Sequence, residues 1–367
     1  MAAAIESKPK RPKELPNMKM TYNTADLRAA LSECFAVAPA RTPKEILRHV
    51  YLGGGFMRAT DLEMSLSIKM ETSGPEMLLP PQVKQIVGLA SGTETSIELG
   101  EKVIVIESGL DRWEVPITDP QDFPQFHPIE GDQVALPAGV LRKSILRCIP
   151  LVEDDVRYAF GALLLEGKFV VGGRASILVA TDMPVDLPKC LLPVAAAKVL
   201  ARLLDDEEQC WFSCDDNSAR FEFGTRVFQS RQLNGRWPLW QKAIGETEYS
   251  ALVRPSEFLS GVNKARISLN PETCGIDVAV DGTAGHFRLS GGGQGSSVAI
   301  VPAESCDAGG QMASIDWKYL SGFLSTVSDL DRVRVSFREE KKDVRGQVQI
   351  RTEDGTLCFL TPLSKDR

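Results

Sequence analysis

The sequence lacks most of the motifs that bring metal or nucleophilic chemistry to a protein. It has three histidines in 367 residues, and none of its eight cysteines forms a CxxC pair. It has no GxSxG segment, and no glycine-rich stretch ends in GK followed by Ser or Thr. These absences count against a zinc site, a serine nucleophile and a nucleotide-phosphate loop, so we expect no metal and no cofactor. The cysteines are better explained as reduced, mostly buried thiols.

Long apolar runs are also missing. No stretch is apolar for the length that crosses a membrane, and residues 1–17 contain no signal-peptide core. This N-terminal stretch is basic and proline-rich (KPKRPKELP), a composition typical of a disordered extension. The formal net charge of -7 argues against a surface coated in basic patches, but it leaves local nucleic-acid binding open. We expect a cytoplasmic protein.

Within RATDLEMSLSIKM (58–70), polar side chains at the odd positions 61–69 alternate with apolar side chains at the even positions 62–70. A period of two predicts a strand with one buried face, which places Asp61 and Glu63 together on the polar face. A catalytic acid pair would use the same geometry. Charged residues are mostly exposed in folded proteins, which favours a solvated strand. We expect Thr60 and Asp61 to fix the turn into this strand.

Two kinds of amphipathic helix recur along the chain. The first places Leu27, Leu141 and Leu259 at equivalent positions, 114 and 118 residues apart. The segments predicted for the first helix are 24–35, 136–149 and 254–267. Those predicted for the second helix are 79–90, 192–205 and 314–327.

Short alternating runs punctuated by Gly, Asn and Asp lie between these helices and predict antiparallel hairpins. Each copy is therefore two helices packed on an antiparallel sheet, an α+β domain. The predicted boundaries are 18–132, 133–248 and 249–367.

The predicted helices carry scattered basic residues in an acidic protein. Taken singly, these are ordinary surface side chains. If the repeats closed into a ring with the helices inside, the same bases would line one hole and contact a nucleic-acid backbone without reading its sequence. They are Arg28, Lys84, Arg142, Lys143, Arg147, Lys198, Arg202, Lys264, Arg266 and Lys318.

Several segments resemble the bacterial sliding clamps, the β subunits of DNA polymerase III. The resemblance runs over nearly the whole chain from Met18, and TDLEM (60–64) is its most specific part. The other segments that resemble the family are SGLDRWEV (108–115), DFP (122–124), DDVRYAFGALLLEG (154–167), the segment from Arg231 to GRWP (231–238), and WKYLSGFL with TPL (317–363). The resemblance implies the clamp fold, closed as a homodimeric six-domain ring that encircles duplex DNA and tethers a polymerase without catalysis.

The resemblance also implies three sets of site residues. DNA contacts would add Arg41, Tyr158 and Tyr319 to the helix bases. Peptides of the polymerase and the clamp loader would dock on Phe160, Gly173, Ala175, Ser176, Ile177, Leu178, Pro238, Ala243, Phe359, Thr361 and Leu363, although an apolar pocket and a core look alike in sequence. The dimer interface would pair Trp113 and Val115 with Ile267 and Leu269.

The chain departs from the family pattern in several places. GGRASIL (172–178) replaces a TDG-like turn followed by a base, which alters the pocket rim. Basic pairs usually follow the proline that opens each inner helix, and Gln82–Val83 and Val194–Ala195 stand there instead. Asp316 replaces an amide, and the ending LTPLSKDR replaces a methionine-rich tail. These departures motivate an alternative, a divergent clamp paralogue that binds partners without a full replicative role. An enzyme of unknown type is a third reading.

Overall fold

The computed structural model describes residues 19–71, 74–126, 131–152, 159–205, 207–269, 274–283, 285–293, 295–306, 312–338 and 346–363. The chain forms two compact units. The first runs to Phe126 and includes Thr225–Val227, and the second holds the rest of the described chain. The predicted extension at 1–17 lies outside the described residues. The boundaries predicted at 132 and 248 stay predictions.

The first unit contains two helices and eight strands, with two short 3-10 helices at Glu45–Arg48 and Pro120–Asp122. Its strands form two antiparallel groups, in the orders β1-β6-β7-β8 and β5-β2-β3-β4. The elements are β1 (Lys19–Asn23), α1 (Thr24–Val37), β2 (Val50–Gly53), β3 (Phe56–Thr60), β4 (Met64–Lys69), β5 (Met77–Leu79), α2 (Gln82–Leu89), β6 (Glu94–Leu99), β7 (Val103–Ser108) and β8 (Asp111–Pro116).

The second unit repeats this plan. Its first part contains β9 (Val134–Pro137), α3 (Ala138–Cys148), β10 (Ala162–Arg174), β11 (Ile177–Pro193), α4 (Val194–Leu203), β12 (Gln209–Cys214), β13 (Ser218–Phe223) and β14 (Arg226–Arg231, of which Phe228–Arg231 belong to this unit). Its second part contains β15 (Tyr249–Val253), α5 (Pro255–Ala265), β16 (Gly275–Asp281), β17 (His286–Gly292), β18 (Ser296–Pro302), β19 (Ser305–Cys306), β20 (Met312–Asp316), α6 (Trp317–Thr326), β21 (Val333–Arg338), β22 (Gln347–Thr352) and β23 (Leu357–Leu360).

The strands of the second unit form three antiparallel groups. One has seven strands, in the order β10-β11-β23-β22-β21-β15-β19, and one has four, in the order β18-β17-β16-β20. In the third group β14, β13, β12 and β9 follow one another. The α+β class and the predicted hairpins are thus confirmed.

All six predicted helices are present, with bounds that differ from the prediction by at most three residues. The predicted equivalence of three leucines is wrong in its third member. Leu27 and Leu141 are fully buried, whereas Leu259 is half-buried and Phe258 is only 1% exposed. Because α5 begins at Pro255, the position three residues into the helix falls on Phe258, which takes the place of the leucines.

The prediction of one continuous strand over 58–70 is also wrong. β3 ends at Thr60, and Leu62 adopts a positive φ of 78° before β4 begins. The Asp61 carboxylate accepts hydrogen bonds from the backbone N–H groups of Glu63 (2.9 Å) and Met64 (2.7 Å), which turns the chain instead of extending it. The hydroxyl of Thr60 donates to the carbonyl of Met64 at 2.8 Å, so the expected turn-forming role of Thr60 and Asp61 is confirmed.

Candidate functional site

The residues predicted for a peptide pocket converge where β11 pairs with β23. The antiparallel register places Leu178 opposite Phe359, and β10 places Gly173 opposite Leu178. The backbone N–H of Thr361 donates to the carbonyl of Ser176 at 2.9 Å, which extends the pairing beyond β23. Both strands belong to the second unit, and their pairing brings together residues predicted for the two sides of the pocket.

The floor of the predicted pocket would be a packed hydrophobic cluster. Phe160, Leu178 and Phe359 lie in it with Trp237 and Trp240, and none of the five is more than 9% exposed. The Phe160 ring meets Trp237 edge-on, at 5.5 Å between ring centroids and 76° between planes. Such aromatic packing fixes the shape of the floor.

Several residues predicted for the pocket are accessible to solvent, but others are not. Ala175, Ala243 and Leu363 are exposed, and Pro238 is partly exposed. Ile177 is fully buried and lies outside the cluster that contains Leu178. Neighbouring side chains on a strand point to opposite faces, so Ile177 faces away from the pocket floor.

Two buried glutamines that the sequence reasoning missed hold the loop that carries Ala243, one of the residues predicted for the pocket. The Gln347 side chain donates to the carbonyl of Ala243 (2.6 Å) and accepts from the N–H of Gly245 (3.1 Å). The Gln349 amide donates to the carbonyl of Gly245 at 2.6 Å. Both glutamines are at most 4% exposed, so these bonds satisfy buried amides while they fix the loop. The sequence offered one signal for this pair: a spacing of two residues places both glutamines on the same face of β22.

An arginine and a tyrosine stack beside the pocket. The guanidinium of Arg174 lies 3.8 Å from the centre of the Tyr319 ring, a cation–π contact between the end of β10 and the first turn of α6. Tyr319, predicted as a DNA contact, therefore lies next to the turn that carries Ala175 and Ser176.

The predicted DNA-contacting bases fall into two groups. The first group is exposed to solvent. It comprises Arg41, which follows α1, and five bases on helices α2, α4, α5 and α6: Lys84, Lys198, Arg202, Lys264 and Lys318. Lys143 is half-exposed and forms an ion pair with Asp354 at 2.8 Å. Tyr158 lies outside the described residues.

Arg28 and Arg142 have a second role at helix ends. Arg28 donates to the carbonyls of Val87 (3.2 Å) and Ala90 (3.1 Å) at the end of α2. Arg142 donates to the carbonyl of Ala201 (3.1 Å) near the end of α4 and pairs with Asp205 at 3.0 Å. Basic side chains at these positions satisfy terminal carbonyls and complement the helix dipole. Both arginines therefore join the two helices of their repeat.

Two strands lie at the ends of their sheets. β8 ends the group β1-β6-β7-β8 in the first unit, and β18 ends the group β18-β17-β16-β20 in the second. Trp113 on β8 is partly exposed, whereas Val115 is 5% exposed. On β18, Val298 and Ile300 are 51% and 55% exposed. Both were missed, because the run VAIV is apolar throughout and does not show which side chains face outward.

The remaining predicted interface residues lie beside β18. Ile267 is 79% exposed in the turn after α5, and Leu269 is bridged to Gly293, just before β18 begins. These residues therefore extend the edge of the third repeat.

Within the described ranges, no three His, Cys, Asp or Glu side chains are grouped as a metal site would require. No helix there is long and apolar enough to cross a membrane.

Comparisons with known proteins identify structures and sequences that resemble this chain. No protein-family model matches the chain. The beta sliding clamp of Proteus mirabilis is 23% identical over 253 residues, which cover 64% of this chain and 68% of that protein. That of Caulobacter vibrioides is 23% identical over 298 residues, covering 72% and 78%. The solved DNA polymerase sliding clamp of Bacillus subtilis superposes with a TM-score of 0.85 at 17% identity, covering 95% of this chain and 100% of that one. The chain therefore has the fold of the DNA polymerase sliding clamps, and its sequence is similar to bacterial beta sliding clamps at 23% identity.

Proposed function

We propose that this chain is a DNA sliding clamp, a non-catalytic cytoplasmic processivity factor that encircles duplex DNA and tethers a polymerase. One observation carries the proposal: 95% of the chain superposes on the full length of a solved sliding clamp. The three predicted domains (18–132, 133–248 and 249–367) would each supply one third of a protomer. A tethered polymerase would rebind at high effective concentration instead of diffusing away.

The two strands that lie at the ends of their sheets, β8 and β18, suggest how a ring would close. Within the second unit, the second and third repeats join edge to edge through β11 and β23. By its place in the repeat, β8 corresponds to β23, and β18 corresponds to the first half of β11. We infer that β8 of one protomer pairs with β18 of its partner, with Trp113 covering the exposed Val298 and Ile300. Two such joints close a dimer and remove both open edges.

DNA contact would come from the exposed helix bases. Lysines and arginines that touch only phosphates hold a duplex without fixing its register, which suits sliding. Gln82–Val83 and Val194–Ala195 leave the starts of α2 and α4 without a basic residue. The exposed bases Lys84, Lys198 and Arg202 lie further along these helices. We expect weak direct affinity for DNA, with retention coming from the closed ring.

Partner binding would use the pocket at the β11–β23 joint. Its buried aromatic floor and accessible rim suit a short peptide that inserts apolar side chains, and such peptides would come from a polymerase and a clamp loader. The polar Arg174 and Tyr319 at one side would add contacts to the peptide backbone or to acidic side chains.

The oligomeric state tests this proposal. Light scattering over a range of concentrations should give twice the mass of the chain. A monomer at every concentration would contradict the proposed ring.

The alternative, a paralogue that binds partners without a replicative role, is motivated by the missing basic pairs. Primer extension on a long template separates the two readings. The clamp proposal expects longer products per binding event when the chain is added to a partner polymerase, and that result would eliminate the alternative.

A further inference from the structure

Two thiols from different sheets of the second unit meet at the end of β12. Cys190 lies near the end of β11, and Cys214 is the last residue of β12. The Cys214 thiol donates to the carbonyl of Lys189 at 3.5 Å, so its sulfur sits against the peptide group that leads into Cys190. The Gln232 side chain bridges the residues that follow the two cysteines, because it accepts from the N–H of Leu191 and donates to the carbonyl of Asp215.

The two sulfurs differ in access to solvent. Cys190 is fully buried, whereas Cys214 is partly exposed. The neighbouring Cys190 thiol lowers the pKa of the Cys214 thiol, although its burial and the nearby Asp215 and Asp216 act in the opposite direction. The Cys214 thiol, with burial, raises the pKa of Cys190 well above its usual value. Cys214 is therefore the thiol placed for attack on an oxidant, and Cys190 is placed behind it.

We propose that Cys190 and Cys214 are a peroxide-responsive pair that closes into a disulfide between β11 and β12. The Cys214 thiolate attacks one oxygen of hydrogen peroxide, the O–O bond breaks, and the departing hydroxide takes up a proton as water. Cys214 is then a sulfenic acid. The Cys190 sulfur attacks the Cys214 sulfur, an S–S bond forms, the S–O bond breaks, and the second water leaves with the Cys190 proton. Two thiols are oxidised and one peroxide is reduced to two waters.

Other cysteines of the chain provide internal comparisons. Cys148 and Cys358 also lie near each other, but both are fully buried, so peroxide cannot reach either sulfur. Cys274 is partly exposed, as Cys214 is, and is the matched single thiol. All eight cysteines are free thiols in this structure.

The proposed disulfide would lie next to the hydrophobic cluster beneath the predicted pocket. Cys190 precedes Leu191, which belongs to the same buried cluster as Phe160 and Phe359. The Leu191 backbone N–H is held by the Gln232 side chain at 2.9 Å, and Gln232 also donates to the carbonyl of Asp215 at 2.5 Å. The bond would therefore add a covalent link where hydrogen bonds already join the two strands.

The test exposes the full-length chain to hydrogen peroxide and follows thiol titre, intact mass and a peptide map. We expect the loss of two thiols and two hydrogen atoms, a crosslinked peptide containing Cys190 and Cys214, and full reversal by dithiothreitol. Cys214→Ser should abolish the crosslink, and Cys274→Ser should leave it unchanged. In Cys190→Ser, Cys214 should stop at a sulfenic acid that dimedone captures.

Three results would overturn the proposal. One is loss of the Cys274 or Cys306 thiol before that of Cys214. Another is a disulfide between two copies of the chain, seen as a doubled mass on a non-reducing gel. The third is a wild-type chain in which Cys214 oxidises to a sulfinic acid while Cys190 stays reduced. If Cys190→Ser does not fold, dimedone labelling of the wild-type chain early in the reaction gives the same information, because a sulfenic acid at any other cysteine contradicts the sequence of steps.

Discussion

The guanidinium of Arg147 meets the carboxylate of Asp354 through two parallel contacts of 2.7 Å each. Arg147 is in the last turn of α3 and is only 3% exposed, whereas Asp354 is in the turn between β22 and β23. The same arginine also donates to the hydroxyl of Thr356. A helix of the second repeat is thereby fixed to the hairpin whose last strand, β23, forms a wall of the pocket. Bidentate arginine–carboxylate pairs combine strength with a defined geometry.

Removing the carboxylate should destabilise the second unit. In Asp354→Asn the buried guanidinium keeps its charge without a counterion, and we expect a loss of about 2–3 kcal/mol in unfolding free energy, since Asp354 is itself partly solvated. Urea unfolding followed by circular dichroism measures it. Lys143→Met is the matched control, because its half-exposed ion pair with the same carboxylate should contribute less than about 1 kcal/mol. Equal losses in the two variants would contradict the importance of the buried pair.

The same pair predicts a dependence of stability on pH. Burial alone would raise the pKa of Asp354, but hydrogen bonds from Arg147, Lys143 and Thr352 hold it well below its usual range. Because this pKa is lower in the folded chain than in the unfolded one, the pair's contribution is complete above the ordinary carboxyl pKa of about 3.9 and is lost as the pH falls below it.

The difference in unfolding free energy between wild type and Asp354→Asn should therefore be constant near neutral pH and shrink below about pH 4. Unfolding curves at matched pH values test this. A difference that stays constant into strong acid would mean that the carboxylate is not the group that titrates.

The proposed dimer predicts that Trp113→Glu separates the protomers. A carboxylate on β8 would be buried against Val298 and Ile300 of the partner without a counterion, at a cost of about 2–4 kcal/mol of association energy. Sedimentation at several concentrations measures the change. Trp211→Glu, on β12 and 42% exposed, makes the same substitution away from both edges and should leave the dimer intact. An unchanged mass for Trp113→Glu would refute the interface.

The pocket predicts a loss of peptide binding when its rim becomes charged. Leu178 is 9% exposed, so Leu178→Asp would weaken folding as well as binding. Leu363 is 39% exposed at the rim, and Leu363→Asp should weaken the binding of an apolar partner peptide about tenfold or more with little change in stability.

Fluorescence anisotropy with a labelled peptide from a polymerase carboxyl terminus measures this affinity. Leu89→Asp, at an 80% exposed position on α2, is the control and should bind normally. Normal binding by Leu363→Asp would place the peptide elsewhere.

Local patterns predicted the elements of this fold. Helical periodicity located the helices, and alternation located the hairpins. Two errors arose at positions where one side chain determines the end of a strand or the start of a helix. The alternation begins at Asp61, but the side chain of Asp61 accepts backbone hydrogen bonds that form a turn and not a strand. The one-residue shift at Leu259 arose because α5 begins at Pro255, which places Phe258 in the core.

Contacts between distant residues could not be predicted from one sequence. The Arg28 side chain reaches carbonyls about sixty residues away. Gln347 holds Ala243 across 104 residues, and on the sequence it is an ordinary polar strand residue. The pocket was predicted only through resemblance to a family, because Leu178 and Phe359 look like core residues by composition and are indeed buried.

Retention on DNA circles tests the central claim most directly. The chain is allowed to form its dimer in the presence of a nicked circular plasmid, and the complex is then washed in high salt, which releases proteins held only by phosphate contacts. A closed ring predicts that the protein stays on the circle and is released when a restriction enzyme linearises the same plasmid. Equal retention before and after linearisation, or equal loss from both forms, would contradict a clamp that holds DNA by encircling it.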